Sequence, residues 1–278
     1  MEGSCTPHHS GSIPEASILK IGSLFSGIGG FELGFESTGR FETAWQVECD
    51  PYANKVLAKH WPNVRRHDDV RTWPEGDTEP VDVLMGGFPC QDISTAGSKK
   101  GLKGERSGLF FEIIRIAGIL RPKFICLENV AALATKRGGL NRVIGHLTDA
   151  GYDCEWEVIS AKSVGAWHQR RRMFIIATRN VADPSSQRCQ ETVVRLPEQG
   201  CATGPEVLLP KDDRTRQTPP WQRVSDPASQ WQSEPGICRV VDGLPNRVDR
   251  ITVVGNAVCP QVSRVMAERV LALNDQLT

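Results

Sequence analysis

The run Gly22-Ser23-Leu24-Phe25-Ser26-Gly27-Ile28-Gly29-Gly30 decides how the chain is read. Apolar residues lead into it from Ile18, and a helical pattern follows it. Glycines between a strand and a helix permit a tight turn and let a ligand approach the backbone. Several nucleotide-type cofactors use such a turn; a plain strand–helix connection is the other reading. Glu48 ends the next strand candidate, Thr43–Val47, where an α/β cofactor site sets a carboxylate on ribose hydroxyls. Standing alone, that acid would read as a solvated helix start.

Working outward, short apolar runs alternate with helical patterns. The strand candidates are Ile18–Phe25, Thr43–Val47, Val81–Met85, Phe124–Leu127, Cys154–Ile159 and Met173–Thr178. Leu109 to Leu120 carries the helical period on Leu109, Phe110, Ile113, Ala117 and Leu120. Asp50–His60 and Asn141–Ala150 are shorter helices, the first opened by an Asp-Pro start and the second closed by Gly151. This alternation predicts an α/β fold: a doubly wound, mostly parallel, Rossmann-like sheet.

Met1–Ser17 is polar and reads as a flexible tail without a signal-peptide core. Residues 18–180 read as the first part of the main domain. From 181 to 239 the chain is rich in Gln, Ser, Pro and Arg and reads as a small irregular domain. Residues 240–278 return to the main domain, and Val262, Val265, Met266, Val270 and Leu273 mark a closing amphipathic helix.

The 278 residues are 39% hydrophobic and 24% charged, which excludes wholesale disorder. No apolar run reaches the length of a membrane helix. The nine cysteines form no CxxC pair, so neither a disulfide framework nor a zinc site is expected, and the cytoplasm is the expected compartment. Lys plus Arg and Asp plus Glu both total 33, so any nucleic-acid surface must be a local concentration of charge.

Three further stretches carry chemistry. Gly86-Gly87-Phe88-Pro89-Cys90-Gln91 follows Val81–Met85 and puts Cys90 in a turn where few side chains can bury it. A free cysteine is usually a small buried hydrophobe, and a nucleophile needs its thiolate. Glu128-Asn129-Val130 follows Phe124–Leu127, and a carboxyl leaving an apolar strand should be held toward its protonated form. His168-Gln169-Arg170-Arg171-Arg172 stands in a stretch, Val158–Ala182, that holds five basic residues and no acid. Strand alternation places Arg170 and Arg172 on one face, suited to phosphate or a base edge; a solvated charge run is the bland reading. The loop Ser98 to Arg106 adds Lys99, Lys100 and Lys103, which suit a phosphate backbone. The glycine turn, Glu48, Cys90 and Glu128 all follow strand carboxyl ends, the edge where open parallel sheets bind ligands.

These residues, in this order, resemble the DNA (cytosine-5)-methyltransferases. GSLFSGIGGFELG is similar to that family's cofactor turn, Glu48-Cys49-Asp50 to its ribose-binding acid, and Asp69-Val70 to its adenine-side pair. GGFPCQDIS resembles the nucleophile loop, Glu128-Asn129-Val130 the ENV motif, and His168-x-Arg170-x-Arg172 the Gln-x-Arg-x-Arg pattern. Gly255-Asn256-Ala257-Val258 resembles the last motif, which folds back on the cofactor pocket. The likeness runs from about Ile18 to Leu273, weakest over 183–234, where the family keeps its target-recognition region. His168 stands where Gln is usual and Ser23 where Asp is frequent.

The resemblance implies S-adenosylmethionine as cofactor, double-stranded DNA as partner, no metal, and a monomer. It implies that Cys90, Glu128, Arg170 and Arg172 are catalytic. Phe25, Ser26, Gly27, Gly29, Gly30, Glu48, Cys49, Asp69, Val70, Pro89, Leu109, Asn256 and Ala257 would face the cofactor. Gln91, Ser94, Lys99, Lys100, Lys103, Arg106, Asn129 and His168 would face nucleic acid. Cys90 would add to carbon 6 of a flipped-out cytosine so that carbon 5 can take the methyl group. The same chemistry on a tRNA cytosine, and a catalytically silent DNA-binding homologue, are the alternatives. A nicotinamide-dependent dehydrogenase would explain the glycine turn but not the Pro-Cys loop.

Overall fold

The computed structural model describes residues 17–74, 78–88, 108–135, 138–166, 168–180 and 254–277. Pro89, Cys90, Gln91, Ser94, Lys99, Lys100, Lys103 and Arg106 lie outside the described residues, as does the 181–239 segment.

Strand β1 (Leu19–Leu24), helix α1 (Gly30–Glu36), β2 (Phe41–Val47), α2 (Pro51–His60) and β3 (Arg65–His67) come first. Then follow β4 (Val83–Gly87), α3 (Gly108–Leu120), β5 (Phe124–Val130), α4 (Leu140–Asp149), β6 (Tyr152–Ser160), β7 (Arg171–Arg179) and α5 (Pro260–Leu277). The strands form one sheet in the order β3-β2-β1-β4-β5-β7-β6. Every pair from β3 through β5 is parallel, and β7 runs antiparallel to both β5 and β6.

The period-2 pattern explains the two-layered core. On β4 and β5, Val83, Met85, Phe124 and Cys126 face one side, while Leu84, Ile125 and Leu127 face the other. The first side packs on Phe31 and Phe35 of α1 and on Val262, Val265, Met266 and Val270 of α5. The second packs on Phe110, Ile113 and Ile116 of α3 and on Val143 and Leu147 of α4. Central strands buried on both faces are apolar throughout, which is why they stand out in the sequence.

Two features differ from the sequence expectation. The parallel alternation ends at β6, because residues 161–170 are too few for a crossover helix. They form instead a short 3-10 turn, Ala161–Val164, and the chain reverses into β7. The polar edge strand β3, Arg65-Arg66-His67, carries no apolar alternation and so gave no strand signal.

The chain winds from β1 outward to β3, then crosses to β4 and β5 on the other side. The switch lies between β1 and β4, where Leu24 pairs with Gly86. A crevice for ligands opens at such a point, outside the strand carboxyl ends.

Candidate active site

The glycine turn leaves β1 with unusual backbone at three positions: Phe25 (φ 54°), Gly27 (φ 57°) and Gly29 (φ 84°). The Ser26 amide donates to Val47 O at 3.2 Å, and the Gly29 amide to Ser26 O at 3.0 Å. A Cβ on Gly27 would meet nothing within 4 Å, so the turn faces open space there. Glu48 lies beside it. Its Oε2 accepts from the Gly27 amide at 2.7 Å and its Oε1 from the Asp50 amide at 2.8 Å. The acid therefore joins the glycine turn to the start of α2, where Asp50 caps the amides of Tyr52 and Ala53 at 2.7 and 2.8 Å. Each Glu48 oxygen keeps a further lone pair, and the side chain is only half-buried, so hydroxyl donors can still reach it. An open turn, an available acceptor and the exposed Asp69 fit a nucleoside-bearing cofactor.

Cys49 is exposed and Leu109 half-buried against the α3 side of the core. Asp69 Oδ1 accepts from the Arg71 amide at 2.9 Å, and Val70 is buried. Arg115 of α3 was not singled out from the sequence, yet its Nη2 donates to Val70 O at 3.0 Å and also to Trp73 O. Arg115 and its ion-pair partner Glu112, the two charged residues on an otherwise apolar helix, were the available signal.

The far end of the chain completes this side. A Cβ on Gly30 would collide with the Val258 carbonyl oxygen, so only glycine lets the 257–259 segment lie on α1. The Ser263 hydroxyl, buried, donates to Phe31 O at 2.7 Å. Arg170 reaches the same segment: Nη1 donates to Gly255 O at 2.9 Å and Nη2 to Ala257 O at 2.5 Å. Asn256 and Ala257 are thereby held beside the glycine turn, with Asn256 exposed.

Glu128 lies on the other side of the switch point, on β5. It pairs with Gly87 of β4 and with Phe174 of β7. It is buried, and Arg172 Nε meets its Oε1 at 3.0 Å. These residues sit diagonally across an antiparallel pair, where long side chains meet. Burial pushes the Glu128 carboxyl above its ordinary range, against the opposing pull of Arg172 and then Arg170. A Cβ on Gly87 would stand 3.1 Å from Oε2, so that glycine makes room for the acid. Gly87 also leads directly into Phe88, Pro89 and Cys90.

Two of the expected site residues have backbone partners. Asn129 is buried: its Nδ2 donates to Phe88 O at 2.9 Å and its Oδ1 accepts from the Val130 amide at 2.8 Å. It ties the exit of β4 to β5. Arg170, expected beside Arg172 as a catalytic group, donates from its guanidinium to the backbone of 255–257 and also acts on the Glu128 carboxyl through its charge. Its φ of 22° marks the bend that separates it from the strand alternation. His168 is half-buried on the same loop, whose Gln169 carbonyl accepts from Ser160 Oγ at 2.7 Å. Among the described residues, no three His, Cys, Asp or Glu side chains gather as a metal site. No helix among them is long and apolar enough to cross a membrane.

Residues 19–218 match the family model for C-5 cytosine-specific DNA methylase. The chain is 40% identical over 168 residues to the type II methyltransferase M.Bsp6I of Bacillus sp. (strain RFL6), covering 59% of this chain and 53% of that protein. It is 38% identical over 166 residues to the type II methyltransferase M2.BsuMI of Bacillus subtilis (strain 168), covering 58% and 42%. The chain thus spans about half the length of the curated relatives it matches. The crystal structure of S. pombe Dnmt2 methyltransferase shares the fold, with a TM-score of 0.51 at 21% identity over 58% of this chain and 51% of that one.

Proposed function

The chain belongs to the C-5 cytosine-specific DNA methylase family, and from that premise we propose that it methylates carbon 5 of a cytosine in a short sequence of double-stranded DNA. The observation that carries the proposal is the buried Glu128–Arg172 pair, set beside Gly87 at the sheet edge that also holds the glycine turn and Glu48. The Cys90 thiolate forms a bond to carbon 6 of the cytosine. The ring's electron pair moves toward nitrogen 3 and makes carbon 5 nucleophilic. Glu128, held toward its acid form by burial, supplies the hydrogen bond or proton at nitrogen 3. Arg172, bonded to the same carboxyl, orients it and has further N–H donors for the cytosine carbonyl oxygen. After methylation, a base removes the carbon 5 proton and the Cys90–carbon 6 bond breaks. These ring atoms are inaccessible in a stacked duplex, so the cytosine is flipped out.

S-adenosylmethionine supplies the methyl group, as an electrophile on sulfonium sulfur. Glu48 receives its ribose hydroxyls, Asp69 and Val70 its adenine, and the Phe25–Gly30 turn with Asn256 and Ala257 its amino acid end. Residues 181–239 form the target-recognition region, and Lys99, Lys100, Lys103 and Arg106 meet phosphates. The enzyme works in the cytoplasm as a monomer, one cytosine at a time.

The test is transfer of tritiated methyl from S-adenosylmethionine to mixed genomic DNA, with methylated cytosines mapped by bisulfite sequencing. Label on carbon 5 in one sequence context is expected, and Cys90→Ala should abolish it while cofactor binding persists. Label on tRNA instead of DNA overturns the DNA substrate, and label on neither overturns the enzyme reading.

A further inference from the structure

A second buried acid lies beneath the cofactor turn, and methyl transfer does not use it. Glu32 stands in the first turn of α1 and is 0% exposed. Its Oε1 accepts from Gln46 Nε2 at 3.1 Å, and Gln46, on β2, is also 0% exposed. Gln46 precedes Val47, whose carbonyl takes the Ser26 amide, and Glu48, which takes the Gly27 amide. The Glu32–Gln46 bond therefore ties α1 to the strand that carries the ribose acid.

Gln46 Oε1 has no hydrogen-bond partner, and the Glu32 carboxyl otherwise faces only the Ser23 and Ser26 hydroxyls. Buried orphans of this kind are costly. A carboxylate has no proton to give, so the ionised form leaves the amide oxygen unserved. A proton on Glu32 adds a donor to this sealed group, whose Gln46 amide oxygen lacks one. The groups that set its ionisation are neutral: Ser23 from β1, Ser26 from the turn and Gln46 from β2. Ser26 Oγ already donates to Ser23 Oγ at 3.0 Å, and from α5 the Ser263 hydroxyl is committed to Phe31 O. Burial pushes the Glu32 carboxyl up to about 7, outweighing hydrogen bonds from its own backbone and from those neutral partners.

We propose that Glu32 is a positioning residue of the cofactor site: as a neutral acid bonded to Gln46 it holds the Phe25–Gly30 turn against the Glu48 strand, and its ionisation weakens cofactor binding. The proposal rests on the assignment of that turn to S-adenosylmethionine. It makes proton binding and cofactor binding mutually supportive, without contact between Glu32 and the cofactor.

Calorimetric titration of the full chain with S-adenosylmethionine and S-adenosylhomocysteine from about pH 6 to about pH 9 tests it. Well above neutrality, wild-type affinity should fall by up to about tenfold per pH unit, as the competent fraction shrinks. Glu32→Gln mimics the neutral acid and should bind like the low-pH wild type, keeping only the slope due to the ligand's own amino group. Glu32→Leu, which gives Gln46 no partner, should bind weakly at every pH. In buffers of different ionisation enthalpy near pH 8, wild type should take up protons on binding and Glu32→Gln fewer, while Glu128→Gln retains the uptake. The drop from wild type to Glu32→Gln assigns the uptake to Glu32, and absent uptake by wild type overturns the proposal even should the Glu32 variants fail to fold. Identical pH profiles for wild type and Glu32→Gln, or no proton uptake by wild type, overturn the proposal. No binding at any pH overturns the cofactor assignment itself, and the positioning role with it.

Discussion

Two acids end neighbouring regions of one sheet and live in opposite surroundings. Glu48, at the end of β2, is half-buried and accepts two backbone amides, one from the glycine turn and one from the start of α2. Glu128, on β5, is buried and meets the Arg172 guanidinium. The first arrangement uses only acceptor capacity, which suits a group that receives hydroxyls. The second desolvates a carboxyl and steadies it with a cation, which suits a group that gives and recovers a proton. The same residue type at the same edge is thus fitted to binding on one side and to chemistry on the other.

The sharpest way to break this comparison is to remove each charge and see what is lost. Glu128→Gln should lower kcat by about a hundredfold to ten-thousandfold, the usual worth of a positioned acid. Cofactor affinity should stay within about twofold, because the pair does not touch the glycine turn. Glu48→Gln should do the reverse, weakening cofactor binding with a smaller effect on kcat at saturation. Single-turnover rates and calorimetric Kd values on both variants separate the outcomes. Equal losses in both constants for Glu128→Gln would make that acid structural.

A second contrast sits inside the binding half. Glu48 is reachable by solvent, whereas Glu32, in the first turn of α1, is sealed. Unfolded, the Glu32 carboxyl releases its proton near the ordinary 4.5; folded, near about 7. Between those values the folded chain holds the extra proton. Its contribution to stability is greatest below about 4.5, declines as pH rises through the window, and is flat above about 7. The total change is about 3 kcal/mol. Urea unfolding of Glu32→Gln across this range should lack that share of the slope. An unchanged slope would mean the acid is not sealed.

Much of this was legible in the sequence, for definite reasons. Val83–Met85, Phe124–Leu127 and Met173–Ala177 are buried on both faces, so they read as continuous apolar runs. Glu48 and Glu128 were visible because each interrupts such a run at its carboxyl end. Arg65–His67 was not, since a short edge strand needs backbone pairing rather than apolar side chains. The antiparallel turn of β7 was also hidden, being a consequence of loop length rather than of strand composition. Asn129 and Arg170 show the limit most clearly. Both lie in functional motifs, yet both side chains are spent on backbone groups, and a partner on the backbone leaves no trace in sequence.

Arg170 gives the next comparison, with Arg172 two residues on. Arg172 is bonded to Glu128, Arg170 to the 255–257 backbone. Arg170→Ala removes two charge-assisted bonds and should cost about 1–3 kcal/mol, an affinity loss of roughly tenfold to a hundredfold for cofactor. Arg172→Ala should instead lower kcat. Matching defects in the two variants would erase the division between positioning and chemistry.

The smallest effect concerns how the far end of the chain is fastened. Arg170 grips the 255–257 segment from one side, and Ser263 grips α1 from the other through the Phe31 carbonyl. That carbonyl sits within α1 and keeps its place in the helix without the hydroxyl, so no buried acceptor is orphaned by Ser263→Ala. The expected loss is therefore the net worth of one neutral bond, about 1 kcal/mol of unfolding free energy. The seat of Val258 on Gly30 and of Pro260 on Gly34 should persist, because the approach of their carbonyl oxygens to those glycines does not use the hydroxyl. Cofactor affinity should then change less than in Arg170→Ala. A larger affinity loss from Ser263→Ala would show that the helix seat, rather than the arginine clamp, holds the last wall of the site.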